Sequence, residues 1–176
     1  MTTKVLETAR LVFRPYRPED VEESVAMLTD AGVMRFVGDG VLDDAGARAM
    51  FKRTFTHVYA TIAFDVWAVC EKGGGEIIGH AEIKPRKGAE DVEIVYLLRR
   101  EAWGRGYATE IARRLVEYGF EDLKLRRVVA TIDVENRASV RVVEKIGMRR
   151  EGQYEDEHGT TLVYAIGRDD ASSRGA

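Results

Sequence analysis

The chain has 176 residues, 27 Lys/Arg against 30 Asp/Glu, a formal net charge of −3 and 45% hydrophobic residues. That length suits one domain able to bury about two-thirds of its unfolded surface. The acidic balance argues against a general nucleic-acid binder, and no apolar run approaches the roughly 20 residues of a bilayer span.

The opening residues, MTTKVLETARLVFRP, lack the apolar stretch and small-residue cleavage site of a secretory signal, so a cytoplasmic protein is expected. ARLVFRPYR alternates Leu11 and Phe13 against Val12 and Arg14 and reads as a strand stopped by Pro15 and Pro18. PEDVEESVAMLTD then reads as a short helix, with acidic residues in its first turn and Val21, Val25 and Leu28 on one face. DDAGARAMFKRTFTHVYA reads as a second helical region whose single face carries Ala47, Met50, Phe51, Thr54, Phe55 and Val58. Both are expected to form walls or lids.

From residue 64 the hydrophobic period changes to two. FDVWAVCE, the turn KGGG and EIIGHAEIKP read as a hairpin. GGGEIIG is no P-loop, because it lacks Lys-Ser/Thr and enters a strand. DVEIVYLL, RRVVATIDV and TLVYAIGR supply further strands, and the polar DDASSRGA reads as an unstructured tail from residue 169. With no repeat or linker, residues 1–168 are expected to form one domain, α+β or α/β, around a twisted sheet. Cys70, the only cysteine, reads as a strand-buried thiol with no role, and His57, His80 and His158 lack metal-ligand spacing, so no metal is expected.

Charge is unevenly spread. Residues 99–150 hold 13 Lys/Arg and 8 Asp/Glu, a balance of +5 that leaves −8 for the remainder, so this part of the chain could suit an anion. Within it, WGRGYA follows a strand and opens a helix whose apolar positions are Ala108, Ile111, Ala112, Leu115, Val116 and Phe120. A Gly-rich turn into a helix N-terminus presents unpaired amides to a phosphate. On Gly104 and Gly106 alone, a tight turn stays an equal reading. A dinucleotide fingerprint would need glycine where Thr109 stands. Downstream, TIDVENRASVRVVEKIGM reads as a strand end, an N-cap at Asn136, and a helix with Ser139, Val142, Val143 and Ile146 on one face, closed by Gly147. A plain N-cap remains an open reading of Asn136, while an inward hydroxyl at Ser139 asks for a partner.

These two segments, in this order and spacing, resemble the GNAT superfamily of acyl-CoA-dependent N-acyltransferases. EIVYLL, WGRGYATE and NRASVRVVEKIGM are similar to its RimJ/RimL-like branch of ribosomal-protein N-terminal acetyltransferases. The resemblance implies a GNAT fold: a mixed sheet of about six to seven strands with about four helices, splayed between its two central strands. It implies acetyl-CoA as co-substrate, with its diphosphate on the turn Trp103, Gly104, Arg105, Gly106, Tyr107, Ala108, where Trp103 replaces the usual Arg or Gln. A strand bulge at Tyr96, Leu97 and Leu98 is implied to bond the pantetheine arm. The amides of Leu98, Arg105, Gly106, Ala108 and Thr109 would hold coenzyme A, and Asn136 would bond the arm. Arg105, Arg141 and Lys145 are candidates for phosphate contact or plain solvated charges.

The reaction implied is direct attack of an amine on the thioester in a ternary complex. Glu93 and Glu82 are the candidate proton acceptors, Glu93 preferred, although strand alternation also allows Glu93 to face solvent. A backbone amide at Leu97 or Leu98 would stabilise the oxyanion. The family's usual leaving-thiolate tyrosine is replaced by Val143, so Ser139 takes that role. The acceptor is a protein N-terminus or a small amine such as a polyamine, antibiotic or amino acid. A non-catalytic acyl-CoA-binding module is the alternative of another class. A homodimer is implied at family level only; nucleic-acid and membrane partners are not expected.

Overall fold

The computed structural model describes residues 3–38, 40–61, 64–86, 88–157 and 159–172. Its strands are β1 (Leu6–Glu7), β2 (Leu11–Arg14), β3 (Asp65–Glu71), β4 (Ile77–Pro85), β5 (Val92–Leu98), β6 (Arg127–Asp133), β7 (Arg149–Asp156) and β8 (Gly159–Gly167). They form one mixed sheet in the order β1-β2-β3-β4-β5-β6-β8-β7. The helices among the described residues are α1 (Val21–Leu28), α2 (Ala31–Met34), α3 (Asp44–Arg53), α4 (Tyr107–Glu121), α5 (Arg137–Lys145) and α6 (Arg168–Ser172).

The expected six to seven strands and four helices are thus eight and six. The additional strands are β1, two residues long, and β7, whose sequence RREGQYED is exposed throughout and has Tyr154 as its one large hydrophobic residue. As an exposed edge strand, β7 is held by its ladder to β8, from Arg149↔Ala165 to Asp156↔Gly159, so periodicity could not announce it. The additional helix α2 is a single turn started by Asp30, whose carboxylate accepts from the amides of Gly32 at 2.7 Å and Val33 at 3.1 Å. The other, α6, shows that the segment read as a tail begins helically; residues 173–176 lie outside the described residues.

The contacts group into two compact units, Met1–Glu82 with Tyr96–Tyr107, and Ile83–Val95 with Ala108–Ala176. In the first, β2 pairs antiparallel with β1 and β3, and Leu11 and Phe13 are fully buried as the alternation requires. Pro15 follows the end of β2, and the chain turns through Pro18–Asp20 into α1. Asp20 is 5% exposed. It is held by Arg14 through two bonds of 2.6 and 2.9 Å and by the Arg17 amide at 2.7 Å. One core joins Tyr16, Phe51, Val58, Val66, Ala68, Cys70 and Ile77, and a second joins the apolar faces of α1, α2 and α3 to Leu97. Met50, expected on the buried stripe, is exposed. Ala47 and Phe51, an i,i+4 pair, carry the inward face of α3, and Met50, about 100° around the helix from Phe51, falls outside it. Thr54–Tyr59 continues α3 as a π-helical turn that buries Val58.

In the second unit β6 runs antiparallel to β8 over seven register pairs and parallel to β5 through Glu93↔Val129. The spacing read for α4 holds, with Ile111, Ala112 and Leu115 fully buried. No helix among the described residues is long and apolar enough to cross a membrane.

Candidate active site

After β5 the chain makes a 3-10 turn, Arg100–Ala102, and then Trp103 to Gly106 lead into α4. The 3-10 turn is pinned at its N-terminal end: Arg99 bonds Glu23 at 3.2 Å and Arg100 bonds Asp30 at 2.6 Å. Gly104 and Gly106 have φ of +74° and +80°, which any side chain would strain, so the backbone itself asks for glycine here. Among the described residues the amides of Gly106, Tyr107 and Ala108 donate to no protein carbonyl. With the positive end of a 15-residue helix behind them, they present donors suited to an anion.

The side chains around this turn differ in their commitments. The Trp103 indole is 49% exposed but donates to the Leu98 carbonyl at 2.8 Å. Arg105 is engaged by Glu71 at 2.7 Å, which counts against a role as the phosphate's own cation. The sequence offered no sign of Arg10. Its guanidinium donates to the Arg105 carbonyl at 2.9 Å and lies 4.4 Å from the centre of the Tyr107 ring, which Arg105 approaches at 4.8 Å. Only a reading that brought β2 beside the turn could have found it. Leu97 and Leu98, consecutive at the end of β5, are both buried. β4 approaches so closely that a Cβ on Gly79 would stand 2.5 Å from the Leu97 oxygen. Tyr96 is half-buried, its hydroxyl shielded from solvent.

In the second unit Asn136 caps α5, its Oδ1 accepting from the Ser139 amide at 3.1 Å. The capping reading is therefore realised, and the side-chain amide hydrogens of Asn136 are not consumed by it. Ser139 is half-buried in the first turn of α5; Arg141 and Lys145 are exposed. Glu93 is half-buried and accepts from the Thr131 hydroxyl at 3.0 Å. Thr109 follows Ala108 in the first turn of α4. Glu82, on β4 in the first unit, lies 3.0 Å from His80 Nε2. Turn residues 103–107 thus share a unit with Tyr96 to Leu98 and Glu82, and Glu93 shares one with Asn136, Ser139, Arg141 and Lys145.

Cys70 is buried, and burial pushes its thiol pKa up, away from the reactive thiolate. Among the described residues no group of three His, Cys, Asp or Glu side chains converges on one point; His158 lies outside them.

Residues 10–149 match the acetyltransferase (GNAT) domain family. The uncharacterized N-acetyltransferase YnaD of Bacillus subtilis is 31% identical over 147 residues, 84% of each chain. A GNAT-family acetyltransferase of Bacillus anthracis superposes with a TM-score of 0.83 at 28% identity, covering 94% of this chain and 99% of that one. Mycobacterium smegmatis RimJ, in complex with CoA-disulfide, shares the fold at a TM-score of 0.78 and 18% identity, over 93% of this chain and 87% of its own. A turn of unclaimed amides at a strand-to-helix junction and a family match across both motifs lead to one conclusion: this chain belongs to the GNAT family and is an N-acetyltransferase.

Proposed function

We propose that the protein transfers the acetyl group of acetyl-CoA directly to a primary amine, as an enzyme of the RimJ/RimL-like branch. The observation that carries this is the Gly104–Ala108 turn, with two left-handed glycines and amides that no protein carbonyl claims. The coenzyme A bound to the mycobacterial RimJ supports the same reading. In it, the amides of Arg105, Gly106, Tyr107, Ala108 and Thr109 bind the diphosphate. Because the Leu98 carbonyl is occupied by Trp103, Leu98 acts through its amide.

Asn136 combines two tasks, capping α5 through Oδ1 and bonding the pantetheine arm through its side-chain amide. Ser139 donates to the departing thiolate. An amide at Leu97 or Leu98 bonds the oxygen of the tetrahedral intermediate. A carboxylate, Glu82 or Glu93, takes the proton of the acceptor. An α-amine with a pKa of about 7.8 loses that proton at pH 7 for about 1 kcal/mol, while a lysine at about 10.4 needs about 4.6 kcal/mol. An N-terminal α-amine therefore asks least of the base.

The test is thiol release from acetyl-CoA with a panel of tripeptides bearing free or formyl-blocked N-termini, spermidine and free lysine. Release with free but not blocked peptides, and acetylated product by mass spectrometry, is expected. Acetyl-CoA binding without transfer to any member would refute it.

A further inference from the structure

We propose that Tyr16, His80 and Glu82 form a hydrogen-bonded line in which Tyr16 and His80 position Glu82 as the group that accepts the proton of the incoming amine. This deepens the acetyltransferase reading above and rests on it. The Tyr16 hydroxyl lies 2.9 Å from His80 Nδ1, and His80 Nε2 lies 3.0 Å from Glu82 Oε1. His80 and Glu82 are two residues apart on β4 and so share one side of the strand, while Gly79, Ala81 and Ile83 between and beside them are buried on the other.

With Glu82 ionised and the His80 ring neutral, the two bonds assign the protons. An ionised carboxylate only accepts, so Nε2 must carry hydrogen toward Glu82. A neutral ring then offers a lone pair at Nδ1, and Tyr16 must donate to it. The surroundings support that arrangement. Tyr16 is 5% exposed, its ring meets Phe51 edge-on at 5.7 Å, and burial, with Tyr59 and Glu82 nearby, pushes its hydroxyl pKa well above the ordinary value. Other titratable groups facing it are already engaged. Asp20 is paired with Arg14, and the Tyr59 hydroxyl accepts from the Tyr16 amide at 2.9 Å and donates to the Val66 carbonyl at 3.1 Å; the Cys70 thiol is buried.

The outcome is a carboxylate held in one orientation by a histidine of fixed tautomer, its Oε1 facing His80 and its Oε2 shielded from bulk solvent, on a side chain that is 16% exposed. Glu93 accepts from the Thr131 hydroxyl, which rotates and both donates and accepts. In the proposed step the ammonium form of the acceptor gives one proton to Glu82. The neutral nitrogen bonds the acetyl carbon to give the tetrahedral intermediate, collapse of that intermediate breaks the C–S bond, the thiolate takes a second proton from the nitrogen by way of Ser139, and Glu82 returns its own to solvent. The balance is an amide, free coenzyme A thiol and one released proton.

The experiment measures kcat and KM with the peptide the wild-type protein turns over best, with acetyl-CoA dissociation constants by calorimetry. Glu82→Gln should lower kcat about 100-fold, in line with loss of a general base. His80→Leu should lower it about tenfold with acetyl-CoA KM within twofold, and His80→Gln, whose amide N–H reaches toward the carboxylate, should recover most of that loss. In ¹⁵N-histidine spectra of the wild-type protein near pH 8, His80 should be the neutral Nε2–H tautomer. Wild-type kcat in folded His80→Leu, an Nδ1–H tautomer, or a Glu82→Gln enzyme more active than Glu93→Gln would overturn the proposal. A wild-type protein that acetylates no amine would overturn the acetyltransferase reading itself, and this inference with it.

Discussion

Substituting Gly106 by alanine isolates the contribution of the turn. Its φ is +80°, and the nearest atom to an added Cβ is Arg10 Nη2 at 3.5 Å, an ordinary contact, so the site has room. The cost is backbone strain of about 1–2 kcal/mol. The chain can relieve it only by rotating the peptide planes on either side, which swings the amides of Gly106 and Tyr107 away from their common direction. An amide donating to a charged phosphate oxygen contributes about 1.5–3 kcal/mol. Losing two weakens acetyl-CoA by about 3–6 kcal/mol, more than 100-fold in Kd. Calorimetric titration with acetyl-CoA reads the affinity, and thermal unfolding without ligand reads the strain. A variant with a modestly lower Tm and a Kd within threefold of wild type would refute the reasoning, because strain would be present without loss of the anion site.

At Gly79 the arithmetic is steric: an alanine Cβ 2.5 Å from the Leu97 oxygen and 2.8 Å from Leu98 Cδ2 forces β4 and β5 apart, and urea unfolding should show a loss of about 2–4 kcal/mol. For Asp20, burial favours the neutral acid, but the bonds from Arg14 and the Arg17 amide outweigh it and lower the carboxyl pKa below its ordinary value. Its contribution is therefore fully present above the unfolded pKa of about 3.9 and is lost as pH falls through the lower folded value. Asp20→Asn should cost about 3–5 kcal/mol near neutral pH and flatten the acid limb of a stability-against-pH curve. Ser139→Ala should lower kcat and leave the acetyl-CoA Kd nearly unchanged, since the Asn136 cap uses the Ser139 backbone amide; equal kcat at saturation would remove Ser139 from the reaction.

Much of this was legible before any coordinates. The strands with alternating or continuous apolar residues and the α4 stripe stand where period and composition put them, because burial of one face leaves a periodic trace. β7 left none, being an exposed edge strand whose ladder to β8 sets its conformation. The π-helical winding after α3 was equally silent, since an extra residue per turn is a product of packing.

At the site, motif spacing identified the turn and the Asn136 cap. The commitments of charged groups were hidden: Arg105 to Glu71, the Trp103 indole to Leu98, Arg10 to the Arg105 carbonyl, and His80 between Tyr16 and Glu82. All but the Trp103–Leu98 bond join residues far apart or on alternating strand positions, and a single sequence records such pairs only through the fold.

The most direct measurement is an amide-resolved NMR titration of the uniformly ¹⁵N-labelled protein with coenzyme A. The account predicts saturable shifts largest at Gly106, Tyr107 and Ala108, accompanied by the Asn136 side-chain amide. Saturable binding that leaves those resonances unmoved and perturbs a different set would contradict it.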